Sequence, residues 1–148
     1  MVCKNVIMIK MELDEKERDI TKSTVPFLQD QGVKVTIRMY ELLFQRYPET
    51  KKLFEKDVSE SLAKALLIYA KNIELPLDSM KSVLSKIALS HVRAGVKPNH
   101  YNLVWECLKD AMSEFVSDKT VLVAWEKGYW RLASYLIELE NKIYKTLE

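Results

Sequence analysis

Tyr40, His91, Tyr101 and Glu140 are polar residues that fall on or beside stripes otherwise made of apolar side chains. Burying a polar group without a partner costs about 1–3 kcal/mol, and a bare charge costs more, so each needs a reason to be there. His91 stands one helical turn after Ile87 and just ahead of Gly95. It reads either as a core histidine satisfied by its neighbours or as a metal ligand. Neutral imidazole ligates well when an acceptor holds its other nitrogen, and the Ser90 hydroxyl or the Ile87 carbonyl could be that acceptor. Tyr40 is a core tyrosine bonded to a backbone carbonyl or a hydroxyl donor pointing into a pocket. Glu140 follows Leu136 by four and precedes Ile143 by three. It is therefore a solvated stripe edge or an inward carboxylate, with Tyr101 as a plausible partner. His100, beside Pro98 and Asn99, reads as a surface or capping residue and not as a ligand.

Other chemistries find no support. No His/Cys/Asp group has zinc spacing, no glycine-rich phosphate loop is present, and no Ser/His/Asp arrangement suggests a nucleophile. Cys3 and Cys107 cannot build a disulfide framework alone; they suit a reducing cytoplasm, with Cys107 a small apolar filler. The net charge is +2 with both signs interspersed, which argues against nucleic acid or an anionic membrane as the main partner. The apolar run Val6 to Ile9 is too short to span a bilayer. Residues 1–12 read as an extension and 13–148 as one domain.

The elements that must position these residues are helices. Gly 3 and Pro 4 in 148 residues are too few for turn-rich β architecture. A first helix is expected from about Asp14 to Val25-Pro26. Gly32 then opens a second with Val33, Ile37, Tyr40, Phe44 and Tyr47 on one stripe, and Pro48 ends it. Asp57 and Glu60 form a capping-box pattern before a helix with Leu62, Leu66, Ala70 and Ile73, which stops near Pro76. Another starts at Asp78 and carries Met80, Val83 or Leu84, Ile87 and His91, until Gly95 breaks it. Pro98 opens a helix with Tyr101, Val104, Leu108, Met112 and Phe115. Ser117-Asp118 caps the last and longest, with Leu122, Trp125, Tyr129, Leu132, Leu136, Glu140, Ile143 and Leu147 inward. Trp105, Trp125 and Trp130 read as packing. The fold class is all-α; periodicity alone does not separate a bundle from other helical folds.

In order and spacing, several stretches from about Asp14 to Tyr144 resemble single-domain bacterial globins and the globin domain of flavohaemoglobins. They include Thr24-Val25-Pro26, Met39-Tyr40-Glu41-Leu42-Leu43-Phe44, Tyr47-Pro48-Glu49 and Lys86-Ile87-Ala88-Leu89-Ser90-His91. Gly32-Val33, Leu53-Phe54, Ala70-Lys71-Asn72-Ile73-Glu74, Ala94-Gly95-Val96, His100-Tyr101, Ala124-Trp125-Glu126-Lys127-Gly128-Tyr129 and Glu138-Leu139-Glu140-Asn141-Lys142-Ile143-Tyr144 complete the set. The resemblance implies a globin fold of six to eight helices around haem b (iron protoporphyrin IX). His91 would be the iron's protein ligand, and Phe54, Leu62, Leu66, Ile87, Val96 and Tyr101 would lie against the porphyrin. It makes Tyr40 the distal hydroxyl that hydrogen-bonds the bound gas. Tyr101 and Glu140 match the pair that links to the ligating histidine and increases its imidazolate character.

The segment between Phe54 and the next helix is shorter than in typical relatives, which leaves two distal registers. One puts Leu62 deep with Val58 at the gate; the other, counted back from His91, puts Leu66 deep with Leu62 at the gate and is preferred. Ser59, Ser61 or Lys64 could add a polar group. The implied function is binding of O2, NO and CO, with NO dioxygenation to nitrate when an external reductase restores the iron. No flavin or nicotinamide domain is expected within the chain. An oxygen carrier, store or gas sensor without turnover is the alternative. The expected assembly is a monomer or homodimer in the cytoplasm.

Overall fold

In a computed structural model, described for residues 12–54 and 57–147, the chain is helical from the Asp14 cap onward. Among the described residues there are six α-helices: α1 (Glu15–Ser23), α2 (Val25–Arg46), α3 (Ser59–Lys71), α4 (Lys81–Ala94), α5 (Pro98–Ser113) and α6 (Lys119–Leu147). Short 3-10 helices at Pro48–Leu53 and Leu77–Met80 connect them. The 1–11 part of the N-terminal extension, with Cys3 and the Val6 to Ile9 run, lies outside the described residues. No helix among those described is long and apolar enough to cross a membrane.

Each start has a local cause. The Asp14 side chain accepts from the Glu17 N–H at 2.8 Å while Glu17 reaches back to the Asp14 N–H at 2.9 Å, closing a capping box at α1. The first helix stops at Ser23, not at Pro26 as expected. Pro26 has no N–H to continue the ladder, so it sits in the first turn of a new helix instead. Gly32 therefore does not open α2 but lies inside it, at the close approach to α3, where a Cβ would meet that of Ala63 at 3.7 Å. The expected stripe of α2 is also rotated. Val33 and Ile37 are both 43% exposed, and the buried face is Leu28, Val35, Met39, Leu42 and Leu43. Tyr40, Phe44 and Tyr47 remain half-buried at its edge.

Asp57 does not form the expected box with Glu60. Its carboxylate accepts from the Ser59 N–H at 2.9 Å, one position too early to be the cap of a helix that begins at Ser59. That helix ends at Lys71, short of Pro76, because the Asn72 amide turns back onto the Ile68 carbonyl at 2.9 Å. Ile73 is buried in the turn beyond it. α4 begins at Lys81; Asp78 belongs to the preceding 3-10 helix and accepts from the Tyr135 hydroxyl. Leu84, not Val83, takes the core position, at 2% against 48% exposed. Gly95 ends α4 with φ +89°, a left-handed conformation that favours glycine. Asp118 accepts from the Thr120 N–H at 2.9 Å at the start of α6. Phe115 falls beyond α5, and Leu147, 71% exposed, overhangs the core.

α2 packs against α3 and α5, α4 packs against α6, and α5 touches α6 to join the two groups. The Trp125 indole N–H bonds Thr24 Oγ1 at 3.1 Å, tying α6 to the α1–α2 junction. Trp105 is buried, Trp130 half-buried, and Cys107 is fully buried in α5. α3 and α4 scarcely touch each other, and a gap opens between them.

Candidate functional site

That gap is a cavity of about 170 Å³, with α3 and α4 facing each other and α2, α5 and α6 behind. Its wall is almost all carbon. Tyr40, Phe54, Leu62, Leu66, Ile87, His91, Val96 and Tyr101 all line it. Glu140 does not; it stands behind the wall and reaches the cavity only through Tyr101 and His91.

His91 occupies the last turn of α4, and the turn at Gly95 folds the chain so that α5 places Tyr101 beside it. His91 Nδ1 lies 2.8 Å from Glu140 Oε2 and 3.0 Å from the Tyr101 hydroxyl. The Tyr101 O–H donates to the same Glu140 oxygen at 2.7 Å. Neither acceptor proposed from local sequence is used: Ser90 is exposed, and the Ile87 carbonyl belongs to the helix ladder. The geometry assigns the protons. Tyr101 spends its single O–H on Glu140, and the same carboxylate oxygen lies at hydrogen-bond distance from His91 Nδ1 as its acceptor. Nδ1 then carries the ring hydrogen and the lone pair falls on Nε2, a nitrogen with no hydrogen-bond partner among the described residues. Glu140 is 3% exposed. Its two donors are what make burial of that carboxylate tolerable. Burial, then the charge of Glu140, pushes the Tyr101 phenol far above its ordinary range, so it stays a donor.

Sequence reasoning missed the braces around this group. The Tyr129 hydroxyl, on a buried side chain of the cavity wall, donates to the Tyr101 carbonyl at 2.7 Å, and the Tyr144 hydroxyl donates to the Val96 carbonyl at 2.6 Å. The Lys97 ammonium sits 3.9 Å over the Tyr144 ring. Tyr144 follows Glu140 by one helical turn, which was the available signal.

Across the cavity the wall is aromatic. Tyr40 meets Phe54 edge to face at 5.1 Å and Phe44 at 5.8 Å between centroids, and Phe44 meets Phe54 at 5.7 Å. The Tyr40 hydroxyl has no hydrogen-bond partner among the described residues, and burial, then the charge of Asp57, raises its pKa well above the usual value. Leu62 and Leu66 both line the cavity from α3, whereas Val58 does not. Ser59, Ser61 and Lys64 also stay out of it; Ser59 is buried with its carbonyl bonded by Thr36 Oγ1 at 2.8 Å.

These residues fit a haem. A histidine with its Nδ1 held presents Nε2 to the cavity, a hydroxyl without a partner among the described residues belongs to the opposite wall, and carbon lines the space between. The fold and pocket together define a class: all-helical proteins with an apolar cavity onto which one histidine opens. Residues 37–136 match the family model described as Globin. The chain is 46% identical to a globin-like protein of Aquifex aeolicus, over 89% of this chain and 97% of that one. It superposes with a TM-score of 0.86 and 41% identity on an engineered carbene transferase, a candidate nitric oxide dioxygenase of Rhodothermus marinus, covering 91% and 98% of the two chains. A flavohaemoglobin of Malassezia yamatoensis with bound FAD and heme gives a TM-score of 0.79 at 26% identity, over 90% of this chain and 38% of that one. The chain spans 34% to 37% of the length of the flavohaemoproteins it matches. This protein belongs to the globin family, and its relatives are both single-domain globin-like proteins and the globin domains of flavohaemoglobins.

Proposed function

We propose that this chain holds haem b in the α3–α4 cavity with His91 Nε2 on the iron, and that it binds O2, NO and CO there. Given electrons from a separate reductase, the site converts NO to nitrate at the expense of O2. The single observation that carries this reading is the buried Glu140 carboxylate receiving both the Tyr101 hydroxyl and His91 Nδ1–H.

When bound, the haem supplies gas affinity and one-electron chemistry. The chain's own residues do the rest. Glu140 pulls on the Nδ1 proton and so raises the basicity of Nε2. Tyr101 holds Glu140 in register. Tyr40 keeps its proton and offers one hydrogen bond to a polar diatomic in a space from which Leu62, Leu66 and Phe54 exclude water. The Rhodothermus marinus relative supports the oxygen-dependent NO chemistry.

The test is to mix reduced, oxygenated protein with NO and follow NO by electrode while recording the visible spectrum. Stoichiometric loss of NO with nitrate formed is expected; NO left unconsumed overturns the dioxygenase reading. The unpartnered Tyr40 hydroxyl also suits a second reading, an oxygen carrier, store or sensor, which slow O2 release with little NO consumption would favour.

A further inference from the structure

Most polar side-chain atoms of the cavity wall are already hydrogen-bonded within the protein. Thr50 Oγ1 donates to the Tyr47 carbonyl at 2.7 Å, and the Tyr69 hydroxyl donates to the Gly128 carbonyl at 2.7 Å. Tyr129 and Tyr101 are bonded as described. The proposed function uses the Tyr40 hydroxyl and His91 Nε2. Among the described residues one further group of the cavity wall has an unspent polar atom, and it is His100.

The cap that His100 makes sets its tautomer. The Lys97 N–H donates to His100 Nδ1 at 2.8 Å, so Nδ1 bears no hydrogen and the neutral ring carries its proton on Nε2. Burial, then the ammonium of Lys52, lowers the pKa of His100; Lys97 acts in the same direction and Glu49 opposes them. The ring is therefore a neutral N–H donor in a locally positive setting. Lys52, Lys97, Pro98 and Asn99 around it are exposed, so this donor marks the mouth of the cavity.

A protoporphyrin is hydrocarbon along its edge except for its carboxylates. Those must lie where the pocket opens to water, because a carboxylate inside an apolar slot is costly. Resting on the haem reading above, we propose that His100 Nε2–H donates a hydrogen bond to a carboxylate of the bound porphyrin, with Lys52 as the adjacent counter-charge. His100 thus serves two ends at once, capping α5 through Nδ1 and anchoring the cofactor through Nε2.

The test compares His100→Glu, His100→Gln and His100→Asn, each loaded with ferric haem or its dimethyl ester, by the rate of haem loss to a scavenging apoglobin. Glu or Gln at this helix position keeps a reach-back acceptor for the Lys97 N–H. Only Gln also retains a donor of sufficient length. With free-acid haem, His100→Glu should lose haem about tenfold faster than wild type, and His100→Gln should stay within about threefold, as expected for one hydrogen bond to a charged group. With the ester the Glu and wild-type rates should converge. In resonance Raman spectra, His100→Asn, too short to reach, should move the carboxylate bending band of the bound haem. Equal acceleration with ester and free acid, or a band unmoved in both His100→Asn and His100→Glu, overturns the proposal while leaving the haem reading intact. A wild-type protein that takes up no haem overturns both.

Discussion

The two faces of the cavity are built on opposite plans. On the α4 side the side chains deepest in the slot are tied to other elements: His91 to α5 and α6, Tyr101 to α6, and Tyr129 back to α5, with only His91 Nε2 and, at the mouth, His100 Nε2 left over among the described residues. On the α2–α3 side carbon packs on carbon, and the Tyr40 hydroxyl is bonded to nothing among the described residues. A satisfied network rigidifies its members, whereas a lone donor costs desolvation that only a ligand can offset. One face is thus organised to orient a permanent group, and the other keeps a donor in reserve for something transient. Mutations should separate the two plans, hurting folding on the first and ligand release on the second.

The largest effect expected is at His91. His91→Ala should abolish the Soret band of protein purified from haem-replete cells, and free imidazole should partly restore it. A variant that retains a wild-type spectrum would reject Nε2 as the ligand. Next comes Glu140→Ala, which removes the common acceptor of the buried Tyr101 hydroxyl and the His91 N–H. Losing the common acceptor of a buried polar group should cost about 2–5 kcal/mol, read from the denaturant midpoint of the haem-free protein. Glu140→Gln keeps the shape and should cost less. A loss below about 1 kcal/mol in Glu140→Ala, the value of one ordinary hydrogen bond, would show that the network is not what fixes this wall.

The contrast between the faces also explains what was legible beforehand. Gly95, Pro48 and Pro98 bound their helices as read, because a left-handed residue and a missing N–H act locally. The all-α class and the stripe leading through Ile87 to His91 were readable for the same reason. His91's partners were not readable from its own segment. They lie 10 and 49 positions away, and only the turn at Gly95 together with the packing of α4 and α5 on α6 brings them together; the family resemblance, not spacing, pointed to them. The inward face of α2 was misjudged because apolar residues occupy more than one side of that helix, and Val33 and Ile37 fell on the exposed one. His100 looked like a cap and is one, but its ring also lines the cavity, which no local pattern encodes.

On the opposite wall, Tyr40→Phe removes a hydroxyl that bonds no described protein group, so stability should change by less than about 1 kcal/mol and can rise. O2 release, by contrast, should accelerate about tenfold or more if the hydroxyl holds the ligand. Flash photolysis and stopped-flow measure the rate, and a urea titration measures stability. A large loss of stability with an unchanged O2 off-rate would invert the comparison. Tyr40 would then be a structural residue, and the α2–α3 wall would be as tightly bonded as the one facing it.

The smallest effect concerns alkali. Tyr129 is buried in the α4 side of the cavity wall, and burial raises its pKa well above the ordinary 10. Tyr69 and Tyr101 are raised as well, also chiefly by burial. A pKa raised on folding means that the stabilisation is fully present below the unfolded value and is lost as pH climbs past it, since the unfolded chain then releases protons the native state retains. Stability should therefore fall above about pH 10 by roughly 1.4 kcal/mol per pH unit for each such tyrosine. Tyr129→Phe should cost about 1 kcal/mol near neutrality through the lost bond to the Tyr101 carbonyl, yet flatten the alkaline slope by one proton. The two terms have opposite signs, so the variant and wild-type stability curves should converge in strong base. Parallel curves would mean that Tyr129 titrates alike in both states, and the enclosed wall would then be open to solvent on the timescale of unfolding.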